Sequence, residues 1–152
     1  MKVSDAMVTN VQTCGPNTSL DAAAMMMWDN DCGSIVVTDD NNLPIGIITD
    51  RDITMSSALN HKALWELTTR ETLNNRPLFT CHDTDDIKMA LNTMKQHKVR
   101  RLPVLDRSEQ HITGFLSIDD VVSCARKSKN SHPADLSYEE AITTLKAVCK
   151  HH

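Results

Sequence analysis

The chain has 152 residues, a formal net charge of −4, 24% charged and 40% hydrophobic residues, which fits one globular domain able to bury a core without staples. The acidic balance argues against general nucleic-acid binding, no apolar run reaches bilayer-spanning length, and Met1-Lys2-Val3-Ser4-Asp5 carries no apolar signal core, which argues against membrane insertion and secretion. Five scattered cysteines (Cys14, Cys32, Cys81, Cys124, Cys149) form no C-x-x-C pair, so neither a disulfide framework nor a zinc knuckle is expected and a cytoplasmic protein with reduced thiols is.

In chain order, a short extended segment at 11–14 precedes a helix at 20–30, whose apolar positions Leu20, Ala23, Ala24 and Met27 follow helical spacing. Two apolar runs, Ser34–Thr38 and 45–49, flank the polar turn Asp39-Asp40-Asn41-Asn42 and read as a hairpin. A second helix starts near Asp50, and 54–75, which lacks Gly and Pro, reads as connecting helix and loop. The same series then returns 67 residues on. It comprises an extended segment at 78–81, a helix at 86–97 with Ile87, Ala90, Leu91 and Met94 inward, strands Arg101–Leu105 and 112–116, and a helix from near Ile118. Thr18 or Ser19, and Thr84 or Asp85, are placed to cap the two leading helices. A polar break at 126–133 leads to a last amphipathic helix with Leu136, Ile142, Leu145, Val148 and Cys149 as its apolar positions and Ser137-x-x-Glu140 as its capping box. It has its own module or a partner chain to pack on.

The expected fold class is α/β (α+β): tandem β-α-β-β-α repeats packed as a pseudo-two-fold pair, since one copy alone cannot cover both faces of its sheet. The expected domains are 1–67 for the first copy with its connecting helix, 68–125 for the second, and 126–152 for a tail and helix. Charge is uneven, −6 over 1–67 and +2 over 68–152, with one basic cluster at Lys95, Lys98, Arg100 and Arg101.

Chemistry concentrates at Gly46-x-x-Thr49-x-x-Asp52 and its copy Gly114-x-x-Ser117-x-x-Asp120. In each, a strand ends and a helix begins at the hydroxyl. Glycine permits close approach of a ligand or neighbouring backbone, and the first helical N–H groups are expected to be unpaired and to seat a phosphate. The carboxylate one turn on suits a ribose diol, and Arg51 can reach a phosphate. The same residues also suit plain helix caps, and the two roles are compatible.

These residues resemble a pair of CBS domains, the Bateman-type regulatory module. The resemblance rests on Leu20-x-x-Ala23-x-x-x-Met27, Ser34-Ile35-Val36-Val37-x-Asp39 and Gly46-Ile47-Ile48-Thr49-Asp50-Arg51-Asp52-Ile53. The second copy supplies Ile87-x-x-Ala90-x-x-x-Met94, Arg101-Leu102-Pro103-Val104-x-Asp106 and Gly114-Phe115-Leu116-Ser117-x-x-Asp120-Val121. It implies an energy-sensing or related regulatory role, with an adenosine ligand (AMP, ADP, ATP or S-adenosylmethionine) in clefts between the copies, a disc-like homodimer and an effector partner. By position it assigns Thr49 with Asp52, and Ser117 with Asp120, to phosphate and ribose, and Arg51 and Arg101 to phosphate. It places adenine against aliphatic side chains near 11–14 or 78–81. The second site departs from the pattern, with Ser-Ile-Asp-Asp in place of Thr-Asp-Arg-Asp and Asp119 set to repel a phosphate.

Two other classes bear on the same sequence. A structural, dimerising module with empty clefts needs the hydroxyl–acid pairs only as caps. An enzyme needs convergence of the seven histidines, which show no H-E-x-x-H spacing and no local Cys/His or Ser/His pair; no catalytic or metal-ligating residue is therefore expected, and His151-His152 also fits a tag remnant. Nucleic-acid binding through 95–101 lacks interleaved aromatics.

Overall fold

The computed structural model describes residues 1–108, 110–126 and 135–149. Glu109, the expected break at 126–133 from residue 127 on, with His132, and the terminal His151-His152 lie outside the described residues. The chain is a mixed α/β protein, with six strands and six α-helices among the described residues, that resolves into two compact units, one formed by Val11–Leu78 and the other by Met1–Asn10 with the chain from Phe79 on.

In the first unit β1 (Thr13–Cys14) pairs parallel with β2 (Ser34–Thr38), which pairs antiparallel with β3 (Pro44–Thr49). Helix α1 (Leu20–Asp29) buries Leu20, Ala23 and Met27 as its periodicity predicts, with Ala24 partly buried beside them, and α2 (Asp50–Asn60) starts at the expected Asp50. Leu20, Ala23 and Met27 of α1 meet Ile35, Val37, Ile48, Ile53 and Leu67 in one core. Each of these Leu, Met, Ile and Val side chains removed from water contributes about 1.5–3 kcal/mol. The 54–75 stretch resolves into the end of α2, a 3-10 turn (Leu64–Glu66) and the short α3 (Thr69–Leu73). The turn is built by Asp39, whose Oδ1 accepts from the backbone of Asn41 and Leu43, both at 2.9 Å, while Asn42 takes the left-handed conformation (φ 60°) that asparagine tolerates.

The other unit repeats the sheet, with β4 (Cys81–His82), β5 (Arg101–Leu105) and β6 (Ile112–Ser117) in the same order and orientations. Even the irregularity recurs, at Val37/Thr38 and at Val104/Leu105. Its helices are α4 (Ile87–His97), α5 (Ile118–Cys124) and α6 (Tyr138–Val148). The cap of α4 is Asp86, not Thr84 or Asp85: its side chain accepts from Lys88 N, whereas the Asp85 carboxylate is turned toward His82 N and Arg107. Ser19 takes the cap position of α1, but its hydroxyl makes no capping bond.

Helix α6 packs on α4 and α5 of its own unit, with its Ser137/Glu140 capping box formed and Glu140 Oε1 3.0 Å from Lys88 Nζ. Its buried side is Ala141, Thr144 and Val148; Ile142, expected inward, is 50% exposed. Thr144 is tolerated inside because its hydroxyl donates to Glu140 O at 2.8 Å.

The repeat extends further than its side chains suggest. Ile87 N donates to Met1 O, as Leu20 N does to Leu67 O; Val3 N to Asp85 O, as Thr69 N to Thr18 O; Ser4 N to Asp83 O, as Arg70 N to Pro16 O. The segment that precedes one copy's sheet in the sequence is thus stitched to the other copy's sheet.

Candidate functional site

At the first corner β3 delivers Thr49 and α2 begins. Thr49 Oγ1 accepts from Asp52 N (3.2 Å), while Asp52 Oδ2 accepts from Thr49 N (2.9 Å) and Thr49 Oγ1 (2.8 Å). At the second corner Asp120 N donates to Ser117 Oγ (3.2 Å), and Asp120 Oδ2 accepts from Ser117 N (2.8 Å) and Ser117 Oγ (2.6 Å). Both are closed capping boxes.

Two expectations are corrected here. The helix-end N–H groups are mostly taken: Asp50 N donates to Gly33 O at 3.3 Å, Arg51 N to Asp50 Oδ1 at 2.7 Å and Ile118 N to Arg100 O at 2.9 Å. A phosphate meets donors already satisfied by the chain, and each hydroxyl's proton is committed to its own carboxylate. The glycines admit neither ligand nor backbone; they seat side chains. A Cβ on Gly46 would run into both Leu73 methyls, and one on Gly114 into Met7 Sδ.

The remaining predicted residues fall as follows. Arg51 is exposed and lines a shallow groove of about 290 Å³ with Asp50, Thr54 and Met55, separate from the groove that Asp52 lines, with Met55 bordering both. Arg101 is the cross-strand partner of Ser117, which brings those two together with Asp120. The 11–14 and 78–81 segments place Cys14 and Cys81 inside the cores. Burial pushes both thiols up, Cys81 to about 12 with a further push from the Asp85 charge, while a hydrogen bond with Thr18 partly offsets the rise at Cys14.

Sequence reasoning missed Arg76. Its Nη1 lies 2.9 Å from Asp52 Oδ1, and both line a groove of about 380 Å³ with Ser56, Asn60, Glu71 and Thr72. Burial pushes the Asp52 carboxyl up, but bonds from Arg76 and Thr49 outweigh it and hold it below the ordinary carboxylate value. Arg76 lies outside the repeated motifs, so periodicity gave no sign of it. A larger groove of about 530 Å³ lies between α1 and α2, walled by Met27, Trp28, Ile53 and Leu64 with Asp31 and Asp50. Among the described residues no three His, Cys, Asp or Glu side chains cluster as metal ligands, and no helix is long and apolar enough to cross a membrane.

The CBS domain matches residues 3–58 and 71–127. The CBS domain-containing protein YhcV of Bacillus subtilis is 27% identical over 143 residues, 90% of this chain and 96% of that protein. Hypoxic response protein 1 of Mycobacterium tuberculosis is 30% identical over 117 residues, 77% of this chain and 80% of that protein. The crystal structure of Hypoxic Response Protein I, with two coordinated zinc ions, gives a TM-score of 0.73 at 25% identity over 83% of this chain and 100% of that one. A CBS domain protein of Pyrobaculum aerophilum complexed with AMP gives 0.70 at 20% identity, covering 80% of this chain and 90% of that one. A CBS domain pair in complex with 5′-methylthioadenosine and S-adenosyl-L-methionine gives 0.68 at 23% identity, covering 81% and 98%. The homoserine O-acetyltransferase of Methanococcoides burtonii is 29% identical over 119 residues, but the chain spans 23% of that protein's length. With both copies matched and the fold shared, this chain belongs to the CBS domain family.

Proposed function

We propose that this protein is a regulatory module that binds an adenosine ligand and passes its presence to a partner. The observation that carries the reading is the hydroxyl–carboxylate ring, built alike at Thr49/Asp52 and Ser117/Asp120, in a fold whose solved relatives hold AMP, 5′-methylthioadenosine and S-adenosylmethionine. Asp52 and Asp120 are the ribose-binding groups in this reading, and Arg101, beside Ser117, is a phosphate partner at the second corner. Arg51 serves the first corner only from its exposed rim. ADP and ATP belong to the same ligand class, and the second ring, with Asp119 next to it, is the weaker seat for any phosphate. Titration calorimetry with AMP, ATP and S-adenosylmethionine tests this. Saturable heat with at least one of them, abolished by Asp52→Ala together with Asp120→Ala, is the expected result; no heat from the folded protein overturns it.

A second reading, self-association, has its own support. Helices α1 and α2 expose Met25 (56%), Trp28 (82%), Met55 (43%) and Leu59 (73%), an amount of apolar side chain that marks interaction surfaces. Sedimentation at micromolar concentration is expected to give a homodimer, and Trp28→Glu with Leu59→Glu a monomer.

A further inference from the structure

Arg76 is held in an unusual way. It follows Asn74 and Asn75, two consecutive left-handed residues (φ 46° and 53°), a conformation that asparagine reaches at less cost than most residues. This reversal ends α3 and brings Arg76 back over it, with Arg76 N donating to Leu73 O at 3.1 Å and Arg76 Nε to the same oxygen at 3.3 Å. Nη1 is thereby presented to Asp52 Oδ1, with half of the arginine side chain (51%) in solvent against 20% for the aspartate.

The two oxygens of Asp52 then have separate duties. Oδ2 is consumed by the capping ring with Thr49, and among the described residues the partner of Oδ1 is Arg76. A ribose diol reaching this carboxylate needs Oδ1, one of whose two acceptor sites the guanidinium fills, so a diol that places both hydroxyls there takes the place of the guanidinium. The displaced guanidinium carries five donors, no acceptor and a fixed positive charge, and is suited to an anion. A phosphate attached to the same ligand supplies that anion, in the fork geometry arginine suits best. The groove's other carboxylate, Glu71, is turned away into the box of Thr68, accepting from its N at 2.7 Å and its Oγ1 at 2.8 Å.

We propose that Arg76 is the phosphate-recognising side chain of the Thr49/Asp52 site, and that its ion pair with Asp52 is a latch which a phosphorylated nucleoside opens by exchange. A nucleoside without phosphate must break the pair with no replacement for the arginine. The pair costs little to break, because water screens a half-exposed ion pair. The proposal rests on the adenosine reading and adds the side chain that separates nucleotide from nucleoside. In the other unit the residue corresponding to Arg76 by the backbone stitching is Asn10, so the latch belongs to one corner.

The test is the ratio of AMP to adenosine affinity, by calorimetry, in the wild type, Arg76→Gln and Arg76→Lys. The wild type is expected to prefer AMP, and Arg76→Gln to lose about ten- to hundredfold in AMP affinity while adenosine binds unchanged or tighter. Arg76→Lys, which keeps the charge and loses the fork, is expected in between. In the wild type, AMP is expected to move the Arg76 Nε resonance to a position that adenosine, which only releases the guanidinium, does not reach, a readout that needs no variant. AMP and adenosine weakening together in Arg76→Gln, or an unmoved ratio, overturns the latch while leaving the adenosine reading in place. A wild type that binds neither AMP nor adenosine overturns the latch, and one that gives no heat with ATP or S-adenosylmethionine either overturns the adenosine reading as well.

Discussion

The two units share a backbone and differ where side chains leave it. Both seat an apolar side chain on a strand glycine, yet one uses Leu73 and the other Met7. Both close the same ring at the strand-to-helix corner, yet the first adds Arg76 and the second has Asn10 at the corresponding position. Helix α6 lies on α4 and α5, whereas α1 and α2 show Met25, Trp28, Met55 and Leu59 to solvent. Duplication preserved what the backbone demands, namely caps, turns and stitching, and left free what a ligand or partner reads. Substitutions made in pairs, one per unit, break or sharpen that contrast.

The largest effect is expected at the glycines. A Cβ on Gly46 overlaps both Leu73 methyls with Cγ at 3.1 Å, and a branched side chain at the end of a short helix has little room to move. A Cβ on Gly114 meets Met7 Sδ with Cγ at 3.0 Å, and the unbranched thioether can swing aside. Gly46→Ala is expected to cost about 3 kcal/mol and Gly114→Ala about 1, or roughly 6–12 °C against 2–4 °C in Tm. Adding Leu73→Ala should recover part of the Gly46→Ala loss, a coupling that a double-mutant cycle detects. Equal losses from the two glycines would show that Leu73 and Met7 yield alike.

The corresponding thiols Cys14 and Cys81 come next. Burial raises both, and Cys81 reaches about 12 from an ordinary 9.0. In the unfolded chain the thiol ionises near its ordinary value while the folded one keeps its proton. Stability from this group is therefore intact below pH 9 and is lost as pH rises toward 12. Urea unfolding between pH 8 and 11 should weaken by about tenfold in equilibrium constant per pH unit above 9. Cys81→Ala is expected to flatten that slope more than Cys14→Ala; the reverse order would place the deeper burial in the other unit.

The caps are smaller. Thr49→Ala and Ser117→Ala each remove one ring and are expected to cost about 1 kcal/mol in thermal or chemical unfolding. If one costs nothing, its ring is open in solution and the two corners are not equivalent.

Much of this was legible in the sequence because it is written in local chemistry. The hairpin runs and the helix starts at Asp50 and Ile118 follow from alternation, helical period and polar turns, and they stand where the spacing put them. What escaped was nonlocal. The first strands begin later than the extended segments suggested, since only Thr13–Cys14 and Cys81–His82 find a partner strand. The correspondence of the leading segments rests on backbone bonds, where Val3 stands against Thr69 and no side chain signals it. Ile142 kept helical spacing yet faces out, since the side of α6 that is buried is that of Ala141, Thr144 and Val148. Arg76 required knowing that Asn74 and Asn75 turn the chain back on α2.

The smallest expected effect bears on the meaning of Arg76. At neutral pH Arg76→Gln should change stability by a few tenths of a kcal/mol, as exposed ion pairs do. The Asp52 carboxyl is held below its ordinary 3.8, so whatever the pair contributes is present above that pH and lost as pH falls through the lower folded value. Thermal melts of wild type and variant should differ slightly at pH 7 and converge well below pH 3.8. A loss above about 1 kcal/mol at pH 7 would make the pair a fastening between α2 and the loop after α3, and the contrast with Asn10 a matter of stability alone. A small loss means that the left-handed Asn74 and Asn75 hold an arginine against Asp52 at little benefit to the fold, as expected of a side chain kept for what it meets when a ligand arrives.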